Sequence, residues 1–212
     1  MFQYEKEMIP ILKKNISSKY KNIYFTEEFK SGNGVADLVY SINLKKKNGA
    51  NRVHYNYIYF MLNYLNIQNK KIGLLDLEQK TGLKSKDFKK FIDFLLNEGY
   101  IDIKDVFIKV KKKYQLPSID KLISIEAKLS DWKGGFYQAL RYKCYSHKSY
   151  LAISEEYAHR VDLSLFVNNN VGLMVVNNND VRVLFEPTIE DPKDKIIYGY
   201  LSEIFYDNIF FS

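Results

Sequence analysis

The chain has 212 residues, 46% hydrophobic and 27% charged, with one cysteine and a formal net charge of +7. That length and balance suit one large globular domain or two small ones, and a single cysteine excludes an internal disulfide. No run approaches the ~18 apolar residues of a membrane span, and the basic balance favours a polyanionic partner, either nucleic acid or a membrane surface. The opening MFQYEKEMIP is polar and acidic and does not resemble a signal peptide, so a cytoplasmic protein is expected. The 18 tyrosines and 14 phenylalanines point first to core and sheet packing, with a few rings left to stack on a ligand.

In chain order, YEKEMIPILKKNISSKY sets Met8, Ile9, Ile11, Leu12 and Ile16 at helical spacing, with Pro10 near the start where proline is tolerated. NIYFTEEFKS and VADLVYSINL read as two strands joined by the turn cluster SGNG. After the charged break KKKNGANR the character changes. YNYIYFMLNYLNIQ is predicted as an aromatic helix, and LLDLEQKTG as a short helix capped by Asp76 and ended by Gly82. KSKDFKKFIDFLLNEGY is a helix capped by Ser85, with Phe88, Phe91, Ile92, Leu95 and Leu96 on one face, and Gly99 stops it. YIDIKDVFIKVKKKY alternates like a hairpin. Helix, helix, turn, helix and hairpin within about 60 residues resemble a winged helix-turn-helix module with Lys84 to Glu98 as the recognition helix.

The strand–helix pattern resumes after Pro117, so the module reads as an insert at 51–115 within a discontinuous domain of 1–50 and 116–212. LISIEAKL is predicted as a strand, DWKGGFYQALRYKCYS as a helix, KSYLAIS as a strand and EEYAHRVDLSLFVNNN as a helix. VGLMVVNNNDVRVLFEP is a hairpin turning on NNND, and KIIYGYLSEIFYDNIF a closing helix.

The chemistry concentrates in ISIEAKL. Strand alternation sends Ile123, Ile125, Ala127 and Leu129 to one face and Ser124, Glu126 and Lys128 to the other. An acid and a lysine on a buried strand need a partner, water or a metal. In GVADLVYSI a single acid, Asp37, interrupts an apolar run. If the two strands are neighbours, Asp37 and Glu126 converge, and a shared proton or a hard cation relieves their repulsion. Mg²⁺ or Mn²⁺ suits such an oxygen-rich pocket, and Lys128 beside it can orient or deprotonate a water and steady charge on a phosphate. These parts point to metal-assisted phosphodiester hydrolysis.

Asp37 in GVADLVY, Glu126-Ala127-Lys128 in IEAK, and Gln138 with Tyr142 in QALRY together resemble the PD-(D/E)XK nuclease superfamily, the restriction-endonuclease-like fold. The resemblance spans about residues 1–50 and 116–176. Ala36 stands where the family name has proline. The resemblance implies an α/β fold with an α-β-β-β-α-β mixed-sheet core whose third strand carries the acid-x-Lys pair. It implies metal ligation by Asp37, Glu126 and the Ala127 carbonyl. An acid on the first helix, followed by apolar residues at +3 and +7, matches Glu5 with Met8 and Leu12; the resemblance implies that Glu5 also binds the metal, directly or through water, and Glu7 is the runner-up. Lys128 would be the catalytic lysine, with Gln138 and Tyr142 reaching a water or phosphate. Gly134 and Gly135 would let backbone approach a ligand at the helix start.

Each residue also has a plainer reading. Glu126 and Lys128 alone fit a strand-edge ion pair, Gln138 and Tyr142 fit a helix surface, and Glu27 and Glu28 fit turn or strand-surface acids that can also approach a metal. His54, His147 and His159 show no ligand spacing, Cys144 reads as an idle thiol, and Trp132 covers a sheet more readily than it stacks on a base. Lys84, Lys86, Lys89 and Lys90 on the recognition helix, with Lys109, Lys111, Lys112 and Lys113 on the wing, match a phosphate-contacting footprint. A solubility face and a protein-docking module are the alternatives. Arginine is missing there, so backbone grip is expected over base readout. The expectation is a metal-dependent DNA endonuclease acting on a duplex as a homodimer, against a non-catalytic DNA-binding or regulatory protein that keeps the fold.

Overall fold

The computed structural model describes residues 2–32, 34–44, 72–111 and 119–211. After a 3₁₀ turn over Glu5–Glu7, helix α1 spans Met8–Lys19 and buries Met8, Ile9, Leu12 and Ile16, the side chains whose spacing predicted it. Strands β1 (Ile23–Lys30) and β2 (Val35–Ile42) follow. Next come β3 (Ile72–Gly73), α2 (Leu74–Thr81), α3 (Ser85–Asn97), β4 (Ile101–Lys104) and β5 (Phe107–Val110). The chain continues through β6 (Leu122–Lys128), α4 (Trp132–Tyr142), β7 (Lys148–Ser154), a 3₁₀ segment over Glu155–Arg160, and α5 (Leu163–Asn169). It closes with β8 (Gly172–Val176), β9 (Val181–Phe185) and α6 (Lys195–Phe210).

The chain divides into two compact units: Met1–Lys47 with Pro117–Ser212, and Asn48–Leu116. The first is built on a six-stranded mixed sheet in the order β1-β2-β6-β7-β8-β9. Its β1, β2 and β6 are antiparallel neighbours, β6, β7 and β8 run parallel, and β9 returns antiparallel to β8. Helix α1 covers one face, packing Met8, Leu12 and Ile16 with Leu38, Ile125, Ala127 and Ala152. On the other face, Phe136 and Ala139 of α4 pack with Leu151 and Ile153, while Tyr142 and Tyr145 join Phe29, Val39 and Phe205 of α6. Covering both faces makes three layers and leaves β6 buried from Leu122 to Ala127. That is why a charged residue on β6 has to find an internal partner.

The second unit carries a three-stranded antiparallel sheet, β3-β5-β4. Helix α3 buries Phe88, Phe91, Ile92 and Leu95, while Leu96 stays exposed at the edge of that stripe. The aromatic helix expected over YNYIYFMLNYLNIQ lies outside the described residues.

Three local expectations need correction. Gly73, not Asp76, is the N-cap of α2, and Asp76 sits in the first turn, where a carboxylate still complements the helix dipole. Lys84 precedes α3 and Ser85 is its first helical residue, with no side-chain cap. The segment 155–170 is not one helix: the 3₁₀ stretch ends at Arg160, and Asp162 caps a fresh helix by accepting the Ser164 N–H at 3.0 Å. A good cap in mid-sequence restarts the helix instead of continuing it. No helix among the described residues is long and apolar enough to cross a membrane.

Candidate functional site

Pairing between β2 and β6 runs from Ser41↔Leu122 to Leu38↔Ile125 and stops there. Just beyond it, the Ala127 N–H donates to the Asp37 carboxylate at 2.7 Å instead of to a β2 carbonyl. The strands splay, and Asp37 caps the donor that the ladder leaves behind.

Glu126 is 1% exposed and fully engaged. Its Oε1 lies 2.7 Å from Lys128 Nζ, and its Oε2 accepts from the Tyr142 hydroxyl at 2.8 Å. Lys128 also reaches Glu5 Oε2 at 3.5 Å, and Glu5 Oε1 accepts the Leu129 N–H at 3.3 Å. Four separate segments thus meet at the carboxyl end of β6: the turn before α1, β2, β6 itself, and the last turn of α4. Glu7 is engaged elsewhere, accepting the Gln3 N–H at 2.8 Å, so Glu5 is the acid of that turn that faces the site.

The Tyr142 hydroxyl lies 2.7 Å from the Val35 carbonyl as well. One phenolic proton faces two acceptors, an arrangement that favours a proton on Glu126. Gly34 makes the approach possible. Its φ of 137° suits glycine, and a Cβ there would already touch the Tyr142 ring at 3.4 Å.

Electrostatics follow from burial. Desolvation raises the Asp37 pKa above the ordinary carboxylate value, opposed by the Ala127 N–H and Lys128 and reinforced by Glu5 and Glu28. Desolvation likewise raises Glu126, opposed by the Lys128 hydrogen bond and reinforced by Asp37. For Lys128 burial acts to lower the pKa, yet Glu126, Glu5 and Asp37 together outweigh it and hold the ammonium above the usual lysine value. Burial and the Glu126 charge push the Tyr142 phenol up, so it keeps its proton.

Not every expected residue joins the cluster. Gln138 is half-buried one turn before Tyr142, and no hydrogen bond ties it to the site among the described residues. The glycine pair serves packing and not ligand approach. A Cβ on Gly135 would lie 2.5 Å from a Leu151 methyl and 2.7 Å from Lys128 Cγ. One on Gly134 would collide with the carboxylate of Asp131, which caps α4 by accepting the Gly134 N–H at 3.0 Å. Gly135 therefore lets α4 lie close on β6 and β7 with Lys128 threaded beneath it. Trp132 covers the sheet, 6.5 Å from Phe166, with Lys133 over its ring at 5.6 Å.

Glu28, weighed in the sequence as a strand-surface acid, lies between the pairs Glu27↔Leu38 and Phe29↔Ala36, hence opposite Asp37. Its φ of 47° is unusual for a non-glycine residue within a strand. Sequence reasoning also passed over the buried serine network behind Glu126, in which Ser124 Oγ meets Ser146 Oγ at 2.9 Å and Ser149 Oγ at 3.0 Å. The one signal for it is Ser124 on the polar face of β6.

In the other unit, Lys84, Lys86, Lys89 and Lys90 are exposed and form no ion pair among the described residues. Exposed Lys109 lies on β5, and Lys111 just beyond it stands 3.8 Å from Asp102. Lys112 and Lys113 lie outside the described residues.

Among the described residues no group of three or more His, Cys, Asp or Glu side chains is arranged to hold a metal ion. Asp37, Glu126 and the Ala127 carbonyl are nevertheless hard oxygen donors of the kind Mg²⁺ takes, since it is commonly held by one or two carboxylates with the remaining positions left to water and phosphate. Burial, and to a lesser extent the neighbouring acids, raises both carboxyl pKa values, and a cation beside them would favour their charged forms. Set beside protein-family models, curated proteins and solved structures, the chain matches none of them.

Proposed function

We propose that the protein is a metal-dependent endonuclease of the restriction-endonuclease-like fold, hydrolysing phosphodiester bonds in DNA gripped by a winged-helix module. The observation that carries this reading is the meeting of Asp37, Glu126, Lys128 and Glu5 at the end of one central strand. Their order, with a helix before two antiparallel strands and the acid-x-Lys strand third in the sheet unit, supports the same reading.

Asp37, Glu126 and the Ala127 carbonyl would hold Mg²⁺ or Mn²⁺. When bound, the ion supplies positive charge against the phosphate and makes water more acidic. Lys128 stays protonated and acts by charge and hydrogen bonding, orienting a water or steadying the negative charge that grows on the phosphate. A raised pKa suits it to that work and not to taking a proton at neutral pH. Tyr142 and Glu5 are positioning residues, the first fixing Glu126 and the second fixing Lys128. Exposed lysines on α3 suit phosphate contacts that are independent of sequence.

One observation favours a second reading. Lys128 bridges Glu126 and Glu5, and no three-carboxylate group is assembled among the described residues. A DNA-binding protein that keeps the fold without cutting would look the same at rest. Incubating supercoiled plasmid with the protein and Mg²⁺ or Mn²⁺ separates the two. The nuclease reading expects nicked or linear product, lost in Asp37→Ala and in Lys128→Ala. Absence of cutting in every metal, with DNA still bound, selects the second reading. Cutting that survives both substitutions removes these residues from the chemistry.

A further inference from the structure

The proposed hydrolysis needs a group to take a proton from the attacking water, and the carboxylate–lysine cluster does not supply one. Lys128, with its raised pKa, stays protonated, and Tyr142 keeps its phenolic proton. Glu126 has both oxygens engaged, by Lys128 and by Tyr142. Glu5 faces Lys128 with one oxygen and accepts the Leu129 N–H with the other. Asp37 accepts the Ala127 N–H and is the proposed ligand of the cation.

Glu28 stands across the ladder from Asp37, between the pairs Glu27↔Leu38 and Phe29↔Ala36. Both strands change face at this rung. Glu27 bonds Lys13 of α1 at 2.7 Å, while Phe29 packs with Tyr145 and Phe205 on the opposite side of the sheet. Likewise Leu38 packs under α1, while Ala36 joins the Phe29 cluster. Residues two apart in a regular strand share a face, so alternation is broken on β1 and β2 together. On β1 the break is the left-handed backbone of Glu28, φ 47°. Non-glycine residues hold such a conformation only where their surroundings impose it, and these outliers cluster at active sites. Glu28 itself is packed into neither layer: it is exposed and makes no hydrogen bond or ion pair among the described residues. Asp37, raised first by burial, is raised further by the Glu28 charge, so the two carboxylates stand within electrostatic reach of each other.

We infer that Glu28 is the proton acceptor of the proposed hydrolysis, a catalytic residue supplied by β1 from across the ladder. The inference rests on the nuclease reading, which supplies the phosphate and the water. The water oxygen forms a bond to phosphorus as one of its protons passes to a Glu28 carboxylate oxygen. The bond from phosphorus to the leaving sugar oxygen breaks, that oxygen takes a proton from solvent, and Glu28 returns its own proton to solvent. An exposed carboxylate without a partner suits this task, because its lone pairs are open and bulk water can reset it between turnovers. The acids then divide the work: the buried ones hold charge in place, and the exposed one moves a proton.

The test measures single-turnover cleavage of a fluorescent duplex in Mg²⁺ by the full chain and by Glu28→Gln and Glu28→Gly. Glutamine keeps the size and hydrogen bonding of the side chain but takes no proton. Glycine removes the side chain and suits the left-handed backbone, so this variant is expected to melt no lower than the parent. Both are expected to slow cleavage about 10²-fold or more, with duplex affinity, read by anisotropy without divalent cation, unchanged. Raising Mg²⁺ is expected to leave both slow. A Glu28→Gln rate close to the parent's overturns the inference. So does a rate restored by raised Mg²⁺, which would make Glu28 a ligand of the cation, and so does a loss of rate matched by a loss of duplex affinity. Each of those results leaves the nuclease reading standing, provided the parent cuts and Asp37→Ala does not. A parent that cuts in no metal removes the nuclease reading, and the role of Glu28 with it.

Discussion

Lysine is used in opposite ways in the two units of this chain. In the sheet unit, Lys128 is pinned beneath α4 and bonded to two acids, its side chain 16% exposed. In the other unit, Lys84, Lys86, Lys89 and Lys90 are exposed at and along α3, whose buried stripe is Phe88, Phe91, Ile92 and Leu95. Position, not residue type, sets what each does. A buried ammonium fixes a geometry and is costly to remove, whereas exposed ones contribute a field and little stability. The contrast predicts that substitutions in the first unit act on both chemistry and folding, and those in the second on nucleic-acid affinity alone.

The largest expected effect is at Asp37. Asp37→Asn keeps an oxygen for the Ala127 N–H, so the melting temperature should stay within a few degrees, while cleavage falls by roughly 10³-fold or more through loss of a charged ligand. Initial rates of plasmid nicking measure it. A rate close to the parent's would remove Asp37 from the cation site. Next comes Lys128→Met, which leaves Glu126 buried without its ammonium. Urea denaturation should show a loss of about 3 kcal/mol, the usual result of deleting one partner of a buried pair. Combining it with Glu126→Gln should restore part of that loss, because the double variant buries no unpaired charge. Strict additivity would mean the two side chains do not interact in solution.

The pH dependence sharpens the same point. Asp37 and Glu126 have folded pKa values above their unfolded ones, so the folded protein holds more protons between the two values. Stability without metal should therefore fall as pH rises from the ordinary carboxylate range to the raised value. Lys128 works at the other end: its raised pKa contributes stability fully present below the unfolded lysine value and lost as pH climbs through the folded one. Urea midpoints across pH should be flatter on the acid side in Asp37→Asn with Glu126→Gln. Added Mg²⁺ should lift the midpoint of the parent more as pH rises, because the cation favours the ionised acids. A parent whose profile matches that of the double variant across the acid window would contradict the burial cost assigned to these carboxylates.

Much of this arrangement was legible in the residues because it depends on alternation and spacing. Period-two alternation put Glu126 and Lys128 on one face of β6, and apolar spacing located α1 and α3. The links that depend on non-local approach were not legible. Nothing in QALRY distinguishes Tyr142, which reaches Glu126, from Gln138, one turn earlier and unconnected to it. The glycines of WKGG look like ligand-approach residues until Leu151, distant in sequence, is seen against Gly135. Asp76 and Ser85 have good capping chemistry in the wrong register, since helix starts are set by the preceding chain as much as by the cap. Glu28 could be singled out only as an acid near a strand end; its left-handed backbone and its place opposite Asp37 depend on the β1–β2 register.

The smallest expected effect on stability is the one that most separates the two units. Replacing Lys86, Lys89 and Lys90 together by alanine removes three exposed charges from α3 without touching Phe88, Phe91, Ile92 or Leu95. Alanine is at least as good a helix former, so each change should alter stability by less than about 0.5 kcal/mol. Affinity for a DNA duplex should nevertheless fall, and the slope of log K against log salt should become shallower by up to about 0.9 for each phosphate no longer neutralised. Because lysine–phosphate pairing carries no base information, the weakening should be similar for unrelated duplex sequences. Fluorescence anisotropy at several salt concentrations reads both quantities. An unchanged slope would make this lysine face a solubility device and leave nucleic-acid binding to the sheet unit. A weakening confined to one sequence would instead mean that α3 reads bases, against the absence of arginine there.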